Sequence, residues 1–378
     1  MKLTRAQFLK ALPAAVLALA SCTAAPTAPA DTDELVFDHA YPLDYATQFT
    51  ADCYADGSTL LTIPDAQAKF LVRPEGAATL RTVPEGVTVL QQPLQNLYLV
   101  STSVMDLFLA LDSLDCIALS GTRAEGWYLD EARQAMLDGR IAYAGKYSAP
   151  DYEQILAANC GLAIENTMIN HTPDVKEKLQ KLGLVVLTEQ SSSEPEALGR
   201  VEWIKLFGVL FDKEDEAAHL FNEQKARVEQ TSGLASSGKT VAYFYINSNG
   251  AAVTRRAGDY VAQMIELAGG KYVPEDTGES DNALSTMNMQ MEEFYAAAKE
   301  SDYLIYNSTI DGEIHSISEL LAKAPVLKDF KAVQAGNVWC TTKNLYQESM
   351  SVGAMLEDIH AIFSGSQEDG TYLYKLQS

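Results

Sequence analysis

The sequence predicts an α/β protein in which two Rossmann-like lobes with mainly parallel sheets are joined by a single long helix, with a small amino-terminal β extension. Three observations predict this fold. Short apolar strands alternate with helical segments before and after residues 212–232, and that stretch itself has helical spacing. The helix-then-strand unit at residues 153–164 is echoed at residues 293–305 with one extra residue. Two copies of one unit on either side of a helix imply two similar lobes.

The composition is that of an acidic globular protein. Its 378 residues are 47% hydrophobic and 21% charged, which is enough chain and apolar surface for two α/β lobes. The formal net charge is −23, and no compensating basic patch is visible in the sequence. Because nucleic acid binding needs clustered positive charge, nucleic acid is not expected as a partner.

The amino terminus has the pattern of a lipoprotein signal peptide. Three basic residues precede an apolar run at 11–20, which is too short to span a bilayer, and a Leu-Ala-Ser-Cys sequence ends at Cys22. This sequence matches the bacterial lipobox, in which cleavage before the cysteine is accompanied by its acylation. We predict removal of residues 1–21, lipidation of Cys22 and a poorly ordered, Ala/Pro/Thr-rich tether at 22–34. The alternative is an ordinary cleavage site with a chance cysteine.

Four further cysteines are spaced too far apart to predict a metal site. None of them forms a Cys-x-x-Cys pair, so zinc binding is unsupported. A disulfide is possible outside the cytoplasm, and buried free thiols are the alternative. These cysteines are Cys53, Cys116, Cys160 and Cys340.

Residues 35–80 are predicted to form the β extension, packed on the first lobe. A hairpin turn signal at residues 54–58 lies between two alternating apolar segments. Residues 81–211 are predicted to form the amino-terminal lobe, in which strands and helices alternate. The predicted strands are at 87–90, 116–119, 141–143, 162–164 and 185–187, and the helices at 103–111, 129–137, 151–158 and 175–182.

Two consecutive helices are predicted in the middle of the chain. The first has apolar residues at helical spacing, and Gly208 weakens its end. Asp212 is placed as the N-cap of the second helix, which Gly233 ends. About 19 helical residues within 212–232, at 1.5 Å each, give a strut of roughly 28 Å between the lobes. Residues 238–378 are predicted to form the carboxyl-terminal lobe, with strands at 240–246, 303–306 and 338–339 and helices at 259–268, 291–299, 318–322 and 348–364.

This order of elements, with the repeated unit and a run to a glycine before the last strand at 330–339, resembles a known family. It is similar to the substrate-binding lipoproteins of ABC importers whose two Rossmann-like lobes are joined by one rigid helix. That class includes ferric-siderophore, haem and cobalamin binders, and the resemblance covers nearly all of residues 80–365. It implies that a ligand is captured between the lobes and delivered to a membrane permease and its ATPase.

The resemblance also implies a surface glutamate on each lobe that pairs with arginines of the permease. Matching the repeated unit assigns these roles to Glu153 and Glu293, with Glu292 as the alternative to Glu293. Each glutamate also starts a predicted helix, where the helix dipole stabilises a carboxylate by roughly 0.3–1 kcal/mol. The position therefore fits both roles.

Ligands of open parallel sheets lie beyond the carboxyl ends of the strands, so the loops after the strands are predicted to line the cleft. Aromatic walls with a few cationic and amide groups suit a bulky, planar or anionic chelate. For Trp127 and Tyr128, packing in the lobe core is the alternative to ligand binding. The candidate ligand-binding residues are Trp127, Tyr128, Lys146, Tyr147, Asn166, Met168, His171, Arg255, Arg256, Asn307 and Tyr346.

Arg255 and Arg256 have the greatest weight among these candidates. Two adjacent arginines just before a helix that starts near Gly258 would reinforce its positive end and favour an anionic ligand. The alternative is a surface pair bridged to neighbouring acids. Arg200, in the first turn of the first central helix, either caps that helix or faces the cleft.

No enzyme motif is present in the sequence, so neither catalysis nor a cofactor is predicted. With five histidines and no close pair, a metal site is not expected, although a binder of free metal ions through His171 is an alternative.

The predicted protein is a monomeric solute-binding lipoprotein. It is anchored on the extracytoplasmic face of the cell membrane, which is periplasmic if the source has an outer membrane. It captures a ferric siderophore-like chelate, haem or a corrinoid. The competing classes are a lipid-anchored surface hydrolase and a ligand sensor that never meets a permease.

Overall fold

The computed structural model of the protein describes residues 35–274, 286–366 and 369–378. The predicted signal peptide, the acylated Cys22 and the tether lie outside the described residues. Among the helices that the structure describes, none is both long and apolar enough to span a bilayer.

The first part of the described chain forms a five-stranded sheet, here called the amino-terminal sheet, whose strands follow one another in chain order. Neighbouring strands are antiparallel except for the last two, which are parallel. The predicted hairpin turn is confirmed, because the N–H of Gly57, at a φ of +81°, donates to the carbonyl of Tyr54 at 2.9 Å. The strands are β1 (Phe37–Ala40), β2 (Thr50–Tyr54), β3 (Thr59–Ile63), β4 (Ala68–Arg73) and β5 (Val87–Gln91).

The fifth strand corrects one assignment made from the sequence. Residues 87–90 are predicted to belong to the amino-terminal lobe, whereas β5 pairs with β4 in the amino-terminal sheet, with Val87 opposite Lys69. Apolar alternation identifies a strand but not its partner, and a parallel partner is separated from it by a long connection.

The amino-terminal lobe is built on a five-stranded parallel sheet with a short antiparallel pair beside it. The strands are β6 (Leu97–Leu99), β7 (Ile117–Ser120), β8 (Ala142–Tyr143), β9 (Gly145–Lys146), β10 (Ala149–Pro150), β11 (Leu162–Glu165) and β12 (Val185–Thr188). The sheet order is β12-β11-β6-β7-β8, and β9 pairs with β10. The helices α1 (Met105–Ala110), α2 (Asp130–Leu137), α3 (Tyr152–Ala157) and α4 (Pro173–Lys181) lie within two residues of the predicted ones.

The two predicted central helices are present as α5 (Ala197–Phe211) and α6 (Glu214–Ser232). Asp212 is not the N-cap of α6; it is the left-handed residue, at a φ of 59°, that ends α5. Gly208 lies in the last turns of α5, which continues to Phe211. A Cβ at this position would lie 2.6 Å from the Cβ of Ala217, so glycine permits close packing of the two helices. Nearly every residue of α5 is buried, since both lobes, α6 and the amino-terminal sheet surround it.

The carboxyl-terminal lobe has a mixed sheet of seven strands within the described residues. They are β13 (Thr240–Ile246), β14 (Ala252–Arg255), β15 (Lys271–Val273), β16 (Thr286–Met289), β17 (Tyr303–Tyr306), β18 (Val338–Thr341) and β19 (Leu373–Lys375). The order is β16-β14-β13-β17-β18-β19, with β15 also paired to β13. β14, β15, β16 and β19 are absent from the sequence prediction; β15 is parallel to β13, and the other three are antiparallel to their neighbours.

The helices of this lobe cover both faces of its sheet. They are α7 (Tyr260–Leu267), α8 (Met291–Ala298), α9 (Ser308–Asp311), α10 (Ile317–Lys323), α11 (Lys331–Gln334) and α12 (Val352–Ser364). Two short 3-10 turns, Lys343–Tyr346 and Ser349–Ser351, precede α12, so the last helix begins four residues later than predicted. Those turns reach the other lobe.

Candidate functional site

Loops at the carboxyl ends of strands from both lobes meet in one place. The side chain of Gln347, after β18, donates to the carbonyl of Gly126 and accepts from the N–H of Tyr128, both at 2.8 Å. Ser349 donates through Oγ to the carbonyl of Ser103 at 2.6 Å, in the loop after β6. The cleft between the lobes therefore lies at the sheet edges where the sequence predicts it.

Arg200 connects the lobes at the floor of this cleft. Its guanidinium lies 3.8 Å from the ring centre of Tyr260, the first residue of α7. Its Nη2 donates to the carbonyl of Ser192 at 2.6 Å and its Nε to that of Glu194 at 3.3 Å, in the loop after β12. Arg200 therefore faces the cleft, one of the two roles considered for it from the sequence.

Two of the predicted ligand-binding residues, Arg255 and Tyr346, are in direct contact beside Arg200. The hydroxyl of Tyr346 accepts from Nη2 of Arg255 at 2.9 Å and lies 2.6 Å from the hydroxyl of Tyr243. The ring of Tyr346 packs edge-on against Tyr260 at 6.4 Å. Burial raises the pKa of Tyr243 and of Tyr260 above the usual range, so both phenols stay neutral. The floor is a connected group of two arginine and three tyrosine side chains.

A small cavity of about 50 Å³ lies beside this floor and is lined by Arg200, Tyr260 and Tyr346 together with Ser103, Ser191, Glu348 and others. An apolar cavity of about 30 Å³ lies deeper in the carboxyl-terminal lobe and shares Tyr260 with the first. Pockets for cofactor-sized ligands are usually about 300–1,000 Å³. In the described arrangement the floor accommodates only a small group, and a larger ligand requires the loops above it to separate.

Exposed apolar and cationic side chains form the rim of the cleft. Tyr128 is 43% exposed, with the ammonium of Lys343 5.9 Å from its ring centre, across the lobe boundary. Met168, after β11, and Ile310, after β17, are also exposed. These residues lie in loops after strands, which is where ligands of open α/β sheets bind. Ile310 was missed from the sequence because a single isoleucine in a short helix carries no periodic signal.

Several predicted ligand residues occupy structural positions in their own lobes. Trp127 is only 1% exposed and packs in the core, the alternative considered for it. Asn307 is buried, and its Oδ1 caps α9 by accepting from the N–H of Thr309 at 3.1 Å. Asn166 caps a 3-10 turn in the same way, while Tyr147 packs against the core on the outer face of the sheet. Lys146 and His171 are exposed.

The start of α7 differs from the anion site expected beside Arg255 and Arg256. Asp259 is the N-cap, with Oδ1 accepting from the N–H of Val261 at 2.9 Å. Its other oxygen lies 3.4 Å from Nη1 of Arg255. A carboxylate of the chain itself therefore occupies the positive end of the helix, and Arg255 reaches the cleft through Tyr346 instead. Arg256 is half-buried.

No group of three histidine, cysteine or acidic side chains suited to a metal ion occurs within the described ranges. The cysteines left open by the sequence, Cys53, Cys116, Cys160 and Cys340, are free thiols in the structure. Burial raises the pKa of Cys160 to about 11, which keeps this thiol protonated and unreactive at neutral pH.

Glu153 is exposed in the first turn of α3. Asp151 is the N-cap of this helix and accepts from the N–H of Gln154 at 3.0 Å. The carboxylate of Glu153 is therefore not needed as the cap. It points outwards from the lobe at the second position of the helix, two residues before the fully buried Ile155.

The matching helix α8 places Glu292, not Glu293, in register with Glu153. Gln290 is the N-cap, so Glu292 is the second residue of α8 and lies two residues before the fully buried Phe294. Glu293 instead closes a capping box, its Oε2 accepting from the N–H of Gln290 at 3.3 Å. By helix register, Glu292 rather than Glu293 corresponds to Glu153.

Two buried glutamates at neighbouring strand ends differ in their hydrogen bonds. Glu189 accepts from the Oγ atoms of Ser101, Ser103 and Ser191 at 2.7, 2.9 and 2.6 Å, and from the N–H of Ser191 at 2.7 Å. Glu165, at the end of β11, has no hydrogen-bond donor for either oxygen within the described part of the chain. Its burial raises its pKa to about 8.

A family model described as "Periplasmic binding protein" matches residues 99–345. An uncharacterized lipoprotein of Methanocaldococcus jannaschii is 25% identical over 226 residues, which are 58% of this chain and 52% of that protein. The chain thus spans about half the length of this relative.

Two solved structures show the same fold. A periplasmic heme binding protein from Pseudomonas aeruginosa superimposes with a TM-score of 0.60 at 14% identity, covering 75% of this chain and 98% of that one. The periplasmic vitamin B12 binding protein BtuF of Vibrio cholerae superimposes with a TM-score of 0.52 at 17% identity, covering 73% and 99%. At such identities the similarity establishes the two-lobe fold and no property of the ligand.

Proposed function

The chain belongs to the periplasmic binding protein family, and from this premise we propose that it is the solute-binding component of an ABC importer. It captures a small molecule between its lobes and delivers it to the permease, without catalysing a reaction. The observation that supports this most directly is the floor of arginine and tyrosine side chains where the strand ends of both lobes meet.

A metal chelate, either ferric siderophore-like, haem or a corrinoid, is the proposed ligand class. The stacked pair Arg200 and Tyr260 and the exposed pair Tyr128 and Lys343 offer aromatic faces beside positive charge. Such pairs suit a planar or anionic ligand, since cations and aromatic rings both stack on extended π systems. Two proteins of similar fold are named for binding haem and vitamin B12. Capture of so large a ligand requires the loops at the rim to move apart.

Ligand titration of the signal-free chain tests this proposal. Tryptophan fluorescence is followed while haem, cobalamin and ferric siderophores, each with its metal-free form, are added. Saturable quenching by one class is expected, and Arg200→Ala should weaken it at least tenfold because both the charge and the stacking face are lost. Arg133→Ala, which removes an exposed arginine of α2, is the matched control. The absence of saturable quenching by any compound, or equal affinities of the two variants, would overturn the chelate proposal.

The proposed location is the extracytoplasmic face of the membrane, where acylated Cys22 anchors a monomer after residues 1–21 are removed. The lipobox and the name of the archaeal lipoprotein support this proposal. Metabolic labelling with an alkyne fatty acid should mark the wild-type protein in the membrane fraction. Cys22→Ser should lose the label and become soluble or secreted, and retention of the label would refute the assignment.

We also propose that the permease is engaged by Glu153 together with Glu292. Their equal positions in α3 and α8 support this pairing over the pairing with Glu293. Charge reversal of Glu153 and Glu292 should abolish uptake in cells and leave ligand affinity unchanged. Single reversals distinguish the two candidates in α8: reversal of Glu292 alone should impair uptake and reversal of Glu293 alone should not, and the opposite result would reverse the assignment.

A further inference from the structure

The amino-terminal sheet lies outside residues 99–345, the part of the chain that matches the family model. It nevertheless contacts both helices that join the lobes. We propose that this sheet is a brace across the α5–α6 joint, which holds the two lobes at a fixed angle. Its contacts lie in the β1–β2 loop, defined here as residues 41–49.

One side of the β1–β2 loop is bound to α5 through a buried carboxylate. Glu202, which is fully buried, accepts from three consecutive backbone N–H groups of residues 44–46 at 2.7–2.8 Å. Its charge is balanced by Lys205 at 2.6 Å, and the same ammonium donates to the carbonyl of Pro42 at 2.9 Å. A carboxylate held by several charge-assisted hydrogen bonds in a dry environment fixes the loop firmly to α5.

A second carboxylate continues the same attachment. Glu194 accepts from the N–H groups of residues 47 and 48 at 2.9 Å each, and from Nε1 of Trp203 in α5 at 2.9 Å. The ring of Phe49 packs edge-on against Trp203 at 5.0 Å. Five consecutive backbone N–H groups of the loop therefore end on two buried carboxylates, which leaves this part of the loop little freedom to move.

The other side of the loop is bound to α6. The hydroxyl of Tyr41 donates to the carbonyl of Glu214, the first residue of α6, at 3.1 Å. Asp44 pairs with Lys225 at 2.7 Å. The ring of Tyr45 lies 6.2 Å from that of Phe221. The loop thus follows α6 for about three turns from its start.

These attachments matter because α6 contacts the amino-terminal lobe at its start and the carboxyl-terminal lobe further along. Lys213, next to the left-handed Asp212, donates to the carbonyls of Leu111 and Asp112 in the amino-terminal lobe. Further along α6, Arg227 forms two hydrogen bonds with Glu357 of α12, at 2.9 and 2.6 Å, in the carboxyl-terminal lobe. Rotation of the lobes about the joint would move α6 relative to α5. The β1–β2 loop is hydrogen-bonded to both helices and therefore opposes that rotation.

The brace is tested with the pair of substitutions Tyr41→Phe and Asp44→Asn in the mature chain without ligand. They remove the hydrogen bond and the ion pair to α6 and leave the backbone N–H groups that bind Glu202 in place. The matched control makes the same chemical changes elsewhere in the sheet, Tyr54→Phe and Asp38→Asn. Hydrogen exchange along α6 and the inter-lobe distance, between spin labels at the exposed Leu137 and Ile310, are measured for both.

In the brace variant, exchange at the first hydrogen-bonded amides of α6, from Ala217 onwards, should become at least tenfold faster. The distance distribution should become at least twofold broader, and exchange in α8 should be unchanged. The control should behave as the wild type. Unchanged distances, or faster exchange in α8 as well as α6, would overturn the proposal, the latter because it would mean general destabilisation. Lys225→Ala, which removes the ion pair with Asp44 and the contact of the ammonium with the ring of Tyr45, gives a second variant with the same expected direction. Since no ligand is present, these outcomes are independent of the proposed binding function.

Discussion

Replacing Glu165 by glutamine is expected to remove a pH-dependent cost to stability. The side chain is fully buried, and neither carboxylate oxygen has a hydrogen-bond donor within the described residues. Burial raises its pKa to about 8, and the nearby charge of Lys176 opposes this rise only in part. An ionised carboxylate in such a place destabilises the fold, because its lost hydration is not replaced.

The sign of the change in unfolding free energy with pH follows from proton binding. The folded state holds this proton more tightly than the unfolded state, so the free energy of unfolding falls as the pH rises from 4.5 to about 8. At 1.36 kcal/mol per pKa unit, the free energy of unfolding falls below its value with Glu165 fully protonated by about 1 kcal/mol at pH 5 and about 4 kcal/mol at pH 8. Glutamine does not titrate. The stability difference between variant and wild type should therefore shift in favour of the variant by about 3 kcal/mol between these pH values.

Urea unfolding at pH 5, 6, 7 and 8, followed by tryptophan fluorescence, measures this difference. The free-energy cost of burying the glutamine amide does not depend on pH, so it cancels when the stability differences at two pH values are compared. The other ionisable groups, which both proteins share, cancel in the same comparison. Glu189→Gln is the matched control, because its carboxylate accepts four hydrogen bonds and its loss should destabilise the fold at every pH. A Glu165→Gln difference that stays constant, or that moves against the variant towards pH 8, would refute the reasoning.

Three further predictions concern the central helices and the lobe contact. Gly208→Ala should lower the free energy of unfolding by about 1–3 kcal/mol because the added methyl group would overlap Ala217, while Gly161→Ala, where no atom lies within 4 Å, should be nearly neutral in the same urea titration. Glu202→Gln should cost about 3–5 kcal/mol, since it leaves a buried lysine charge unpaired; a cost below 1 kcal/mol would contradict the contacts described for it. Gln347→Leu removes two hydrogen bonds between the lobes and should speed hydrogen exchange at the Tyr128 amide roughly tenfold, an effect absent if that contact does not persist in solution.

The longer helices were predictable to within a few residues, whereas the four-residue helices α9 and α11 were not predicted, and the reason is local. Apolar residues at a spacing of three to four, with turn residues between them, act over a single helix length. The same reasoning failed where an element depends on its neighbours. Asp212 has the chemistry of an N-cap, yet the close crossing at Gly208 turns the chain so sharply that Asp212 becomes the left-handed end of α5 instead.

The location of the candidate site could be predicted from the sequence, but the residues that form it could not. The rule that ligands lie beyond strand ends led to Arg255 and Tyr346, which do contact each other at the floor. It could not identify Tyr260, because the first residue of a buried helix looks like core in the sequence. It also selected Asn307, whose position after a strand suits a cap equally well.

By itself, the sequence determined the alternation of strands and helices, the two lobes and the helix between them, because these depend on patterns within a few residues of each other. Only the tertiary structure decided that β5 joins β4, that Arg200 stacks on Tyr260, and that Glu202 binds a loop 158 residues away from it. Such contacts depend on which buried polar groups find partners once the chain is folded. That outcome is a property of the packed chain as a whole, and no local window of sequence contains it.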